Sequence, residues 1–244
     1  MLRHRIRRAA QAAAIAASFI LVFAVVALAQ QTDPRQSAPG KFDFYVLALS
    51  WSPSYCASVK QRAPDRKPGL QCGGRPFSFV VHGLWPEYEK GFPSYCQVPA
   101  QRLTHSIVSG MLDLMPSPNL IFYEWWRHGT CSGLTPNAYF EAVRKARAVV
   151  KIPADYLDPP SPVSVAPDAV ADAFVKANPG LTRAAMAIVC DKKRLTEVRL
   201  CMSKDFGFHD CTEVAKRSCK RDKVEMPAVR GGTDKRAALI PQSR

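Results

Sequence analysis

The 244-residue chain is 47% hydrophobic and 22% charged, with 34 basic against 20 acidic side chains. That is the composition of one medium globular domain, and it excludes a chain too polar to bury a core. The positive excess favours a polyanion as partner: nucleic acid, anionic polysaccharide or a membrane surface. Charge alone neither chooses among them nor excludes simple solubility.

Residues 1–29 read as a signal peptide. Four arginines fall within the first eight residues, Ala9–Ala29 is apolar apart from Gln11 and Ser18, and Ala27-Leu28-Ala29 offers a small-x-small cleavage site. The run is long enough for an uncleaved anchor, but the cleavage site favours removal. No stable membrane insertion is expected afterwards, and the destination is periplasm or medium. Residues 30–41, with Pro34 and Pro39, read as a flexible leader.

Phe42–Trp51 suits a buried strand that stops at Ser52-Pro53. Residues 54–75 hold Cys56, Cys72, two prolines and a basic run, and read as a long disulfide-stapled loop. Pro76–His82 suits a second strand, with Phe77, Phe79 and Val81 on one face. His82 ends it, and Gly83-Leu84-Trp85-Pro86-Glu87 follows, which places an imidazole and an indole at the lip of a sheet. Taken singly, His82 is more often a hydrogen-bonded structural histidine and Trp85 a core residue.

Pro99–Met115 repeats Leu103, Ile107, Met111 and Met115 every four residues and predicts a helix that leaves His105 on the surface. The stretch Phe122–Cys131 then gathers an acid, a cation and an imidazole. Glu124, Arg127 and His128 fall at i, i+3 and i+4, on one helix face. Gly129 suits the helix end. Such a face fits phosphoryl chemistry: histidine moves protons near neutral pH, and arginine presents a planar fork to phosphate oxygens. The plainer reading is a surface ion pair beside a capping histidine.

Thr135-Pro136 opens another helix, which buries Tyr139, Phe140 and Val143 and ends before Pro153. Residues 153–167 are proline-rich and irregular. Asp168–Asn178 is a helix with Val170, Phe174 and Val175 inward. Residues 185–190 and 194–203 alternate well enough for a hairpin. The globular domain is expected over residues 42–225, followed by a basic tail over 226–244. Strands and helices interleave irregularly, which predicts an α+β fold.

Eight cysteines follow the signal region: Cys56, Cys72, Cys96, Cys131, Cys190, Cys201, Cys211 and Cys219. An even number in an exported chain implies a disulfide framework. With no C-x-x-C or H-E-x-x-H, a metal site is not expected.

Two segments together resemble the ribonuclease T2 family: Phe79-Val80-Val81-His82-Gly83-Leu84-Trp85-Pro86-Glu87, and Glu124-Trp125-Trp126-Arg127-His128-Gly129-Thr130-Cys131. Ser50–Cys56 and Leu195–Cys201 add support, so the likeness runs roughly from Phe42 to Cys219. The resemblance implies a central, mainly antiparallel sheet flanked by helices. It implies an endoribonuclease of low base specificity that cuts single-stranded RNA without metal or cofactor, through a 2′,3′-cyclic phosphate to 3′-phosphate ends. His128 would be the first-step base and His82 the acid, with Glu124 and Arg127 stabilising the phosphorane. Trp85, Glu87 and Tyr123 would bind substrate, Trp85 by stacking a base. Arg127 stands where the family usually has lysine, and Tyr123 where many members carry a third histidine. Those departures motivate an alternative, a catalytically weak RNA- or polyanion-binding protein. The implied disulfides are Cys96–Cys131, Cys190–Cys219 and Cys201–Cys211, with Cys56–Cys72 remaining, and a monomer is expected.

Overall fold

A computed structural model describes residues 37–229. The expected signal peptide, most of the leader and the chain beyond 229 lie outside the described residues. The fold is α+β, built on a four-stranded antiparallel sheet. Its strands are β1 (Phe44–Trp51), β2 (Phe79–Glu87), β4 (Met186–Cys190) and β5 (Leu195–Met202), in the order β2-β1-β5-β4. A small second sheet pairs β3 (Val163–Val165) with β6 (Val224–Met226).

β1 is apolar on both faces because it lies between two strands and under two clusters. Tyr45, Leu47, Leu49 and Trp51 enter the main core. There they meet Ile121 and Trp125 of α4 (Pro118–Arg127), Tyr139, Phe140 and Val143 of α5 (Pro136–Val149), and Val170 and Phe174 of α6 (Pro167–Ala177). Leu47 and Leu49 are fully buried, and each such side chain stabilises by about 1.5–3 kcal/mol. Phe44, Val46 and Ala48 face the other way, into a smaller cluster with Trp85, Ala187, Cys201, Cys211 and Val214. Disulfides join Cys56 to Cys72, Cys96 to Cys131, Cys190 to Cys219 and Cys201 to Cys211.

Several local expectations are corrected. The expected loop over 54–75 contains α1 (Ser52–Arg62) and one helical turn, α2 (Leu70–Gly73). Pro53 in the first turn of α1 starts that helix instead of breaking the chain. The helix expected over 99–115 is confined to α3 (His105–Met111), because the Thr104 hydroxyl caps it by accepting from the Ile107 N–H. β2 does not stop at His82 but runs on to Glu87. As an edge strand it tolerates Pro86, which has no N–H to offer. Order also continues past 226: the Trp51 indole donates to the Pro227 carbonyl at 3.1 Å, and Val229 is buried.

Candidate active site

The site lies where β2, β1 and β5 present polar side chains on the face opposite the main core. Along β2, Leu84 pairs with Leu47 and Gly83 with Ala48, but Val81 pairs with Leu49. His82 is therefore the extra residue of a β-bulge, a device that re-aims a side chain beside a site. Its imidazole turns toward β5, where Nδ1 lies 2.5 Å from Glu197 Oε1. Ser50 Oγ donates to the same oxygen at 3.4 Å. Arg199 grips the other oxygen of Glu197 with Nε at 2.9 Å and Nη2 at 2.7 Å.

Helix α4 supplies the opposite wall. The Ser117 hydroxyl caps it by accepting from the Leu120 N–H, and Pro118 occupies its first turn. Ile121 and Trp125 anchor it in the core, and the Trp125 indole donates to Gln101 O at 2.7 Å. Glu124 is only 1% exposed. Its Oε2 accepts from the Trp85 indole N–H at 2.6 Å, and its Oε1 lies 3.6 Å from His82 Nε2. His128 caps the helix, its N–H donating to Glu124 O, and its ring lies 5.4 Å from that of Trp85. The His82 ring stands 5.3 Å from the same indole. The two imidazoles thus flank one tryptophan, over a carboxylate fixed by its N–H.

Glycine has two separate jobs here. A Cβ at Gly83 would strike Glu124 Oε2 and Trp85 Nε1. Gly83→Ala is therefore expected to break the Trp85–Glu124 hydrogen bond and lower stability by about 1–3 kcal/mol. An unchanged thermal melt for this variant would show that the close approach is not required. Gly129 is not the left-handed helix end that was expected. It opens a 3₁₀ turn, Gly129–Ser132, and a Cβ there would lie 2.5 Å from the Trp125 ring and 2.9 Å from Tyr139. The left-handed residue is Gly133, with φ 75°. The Cys96–Cys131 disulfide and the Tyr95 N–H, donating to Arg127 O at 2.9 Å, tie this helix end to the preceding loop.

The two imidazoles are biased oppositely. Burial opposes a charge on His82, but the hydrogen bond and charge of Glu197, joined by Glu124, raise its pKa above the ordinary 6.5. Burial lowers His128 to about 3, assisted by the positive charges of Arg127 and His82. Burial also raises Glu124 to about 7, against the pull of His82 and the Trp85 N–H. For Glu197, burial would push the pKa up, but the His82 hydrogen bond and charge, with Arg199, bring it down to about 2. Glu87 is raised to about 7 by burial, against Arg217 and Arg199. His128 Nδ1 and Arg127 Nε are buried without hydrogen-bond partners among the described residues.

His82, Glu124, His128 and Trp85 come together as one cluster. Trp85, the residue expected to stack a base, stands between the two imidazoles. The residue is 9% exposed, with the Arg199 guanidinium 5.0 Å from the ring centroid and His128 beside it. Its indole N–H also holds Glu124. Glu87 lies two residues along the same strand face. The two departures in α4 touch each other: Arg127 Nη1 donates to the Tyr123 hydroxyl at 2.5 Å. The guanidinium also lies 5.7 Å from the Tyr95 ring and 6.0 Å from that of Phe92.

Glu197 and Arg199 are the site residues that sequence reasoning passed over. The signal was present: an acid and a base two apart, on a strand otherwise apolar but for Thr196, point to one shared polar face.

The sequence pattern of the ribonuclease T2 family matches residues 42–211. A ribonuclease from Aeromonas hydrophila is 42% identical over 108 residues, which is 44% of this chain and 46% of that protein. Ribonuclease DdI from Dictyostelium discoideum is 28% identical over 82% of this chain and 92% of its own length. The chain spans about half the length of the bacterial relatives from Aeromonas hydrophila and Haemophilus influenzae. Among solved structures, RNase NT in complex with 5′-AMP superposes with a TM-score of 0.59 at 25% identity, covering 77% of this chain and 99% of that one. With the pattern running through β1, both site segments and most of the disulfide framework, the chain belongs to the ribonuclease T2 family.

Proposed function

We propose that the protein is an exported endoribonuclease of low base specificity that cleaves single-stranded RNA by acid–base transphosphorylation, with no metal in the chemistry. One observation carries the reading: two imidazoles flank a fixed Trp85–Glu124 pair, one biased toward its protonated form and the other toward the neutral one. His128 takes the proton from the ribose 2′-hydroxyl. The 2′-oxygen bonds to phosphorus, the bond from phosphorus to the 5′-oxygen breaks, and the leaving 5′-oxygen takes the proton from His82. A 2′,3′-cyclic phosphate results. Water opens it with the roles reversed, leaving a 3′-phosphate. Burial is the main cause that holds His128 neutral, and the phosphate's negative charge, on entering, offsets the smaller contribution of Arg127 and so makes that imidazole a better base.

Arg127 opposes the charge that grows on the phosphorane. Glu124, with a pKa near neutrality, can meet a phosphate oxygen with a proton where a full carboxylate would repel it. The unpartnered Arg127 Nε and His128 Nδ1 leave polar capacity for a substrate to satisfy. Four disulfides and the expected signal peptide over residues 1–29 support export.

The test is incubation of the oxidised protein with single-stranded RNA in EDTA, followed by identification of the product ends. Cyclic 2′,3′-phosphate and 3′-phosphate ends are expected, and a deoxy strand of the same sequence stays intact. RNA binding without cleavage would transfer the site to the polyanion-binding reading.

A further inference from the structure

We propose that a strip of aromatic side chains on α4, leading away from the catalytic face, is a stacking platform for RNA nucleotides flanking the cleaved phosphodiester. The proposal rests on the ribonuclease reading for its ligand. At about 100° per residue, the order around the helix from Glu124 is Arg127, Tyr123, Trp126 and Phe122. The buried Trp125 and Ile121 then close the circle.

The strip is exposed where a helix of a folded domain normally turns polar side chains to water. Tyr123 is 39%, Trp126 47% and Phe122 48% exposed. Single exposed apolar residues need no explanation, but neighbouring large rings on one helix face mark a contact surface. The rings are also held in place. Tyr95 packs on Trp126 with centroids 4.6 Å apart, and the Trp125 indole pins the loop at Gln101. Helix and loop together enclose a groove of about 490 Å³ whose wall includes the exposed Arg102.

Continuity and charge identify the occupant. The strip begins at Tyr123, whose hydroxyl is bonded to Arg127, the group that would meet the scissile phosphate. A strand leaving the reaction centre on that side passes over Tyr123 and reaches Trp126 and Phe122. Single-stranded nucleic acid is held in this way, with bases on aromatic faces and phosphates near cations, and largely without sequence preference. An excess of basic side chains suits such a polyanion better than an apolar peptide.

The test compares kcat/KM on a dinucleoside monophosphate, adenylyluridine, with a series lengthened by adenosines on the 5′ or the 3′ side. The wild type is expected to gain with length on one side. Phe122→Ala/Trp126→Ala is expected to lose that gain, about tenfold per stacked base. It keeps the wild-type rate on the dinucleotide, which is too short to reach the strip. Trp126→Phe, which keeps a ring, recovers part of the gain. Equal losses at every length would assign the rings a structural role and overturn the platform, as would no loss at all. If the wild type cuts no member of the series, the ribonuclease reading falls. The platform is then decided by an uncleavable oligodeoxyadenylate, followed by fluorescence anisotropy, and stands only if the double variant binds it more weakly.

Discussion

His128→Ala and His82→Ala are each expected to lower kcat/KM on single-stranded RNA by roughly 10²–10⁴-fold, the range that one acid–base group supplies. The two losses arise differently. His128 sits at the end of α4, with its imidazole buried and its Nδ1 unpartnered among the described residues, so its removal costs the fold little hydrogen bonding. His82 is bonded to Glu197, and removing it leaves that carboxylate with Arg199 and the Ser50 hydroxyl. Each variant should keep a cooperative thermal melt. The double variant should fall little below the worse single one, because the two groups act in one step. A single variant with near-full activity would show that the pair is wrongly assigned. Stability against pH gives a second reading for His128. Its folded pKa of about 3 lies below the ordinary 6.5, so the unfolded chain binds the proton first as pH falls between those values. Stability from this group is therefore lost on acidification through that window. The difference in unfolding free energy between wild type and His128→Ala should shift across it and be flat above it.

Much of this site was legible because its chemistry is local in sequence. Glu124, Arg127 and His128 share a helix face that spacing alone defines, and the alternation of Phe79 and Val81 announces a strand. What was hidden depends on partners far along the chain. Gly83 and Pro86 read as the end of a strand, yet β2 continues through both: Gly83 admits the Glu124 carboxylate, and Pro86 sits on a sheet edge. The bulge that turns His82 toward Glu197 is a matter of register with β1, which no pattern within β2 reveals. The Trp85–Glu124 hydrogen bond likewise joins residues 39 apart in sequence. α1 was missed because its face is largely polar and basic and its first turn carries a proline, so neither composition nor periodicity set it apart from a loop.

Glu197→Gln separates orientation from acidity at His82. The substitution keeps the shape of the side chain and removes the charge that sustains the imidazolium. On the proposed mechanism the active form has His82 protonated and His128 neutral. Activity should then persist from mildly acid pH up to the raised pKa of His82, and decline beyond it as the acid loses its proton. Without the Glu197 charge that pKa falls, so the alkaline limb should move to lower pH, with activity lost at neutral pH and above. The loss should shrink as the buffer is made more acid, because His82 regains its proton. Arg199→Gln gives the opposite sign, since the Arg199 charge lowers the His82 pKa: here the alkaline limb should move upward. Two neighbouring substitutions that shift one limb in opposite directions cannot be explained by a general loosening of the sheet, which would lower the rate equally at every pH. A pH-independent loss in both variants would reduce the Glu197–Arg199 pair to a structural clasp between β5 and β2.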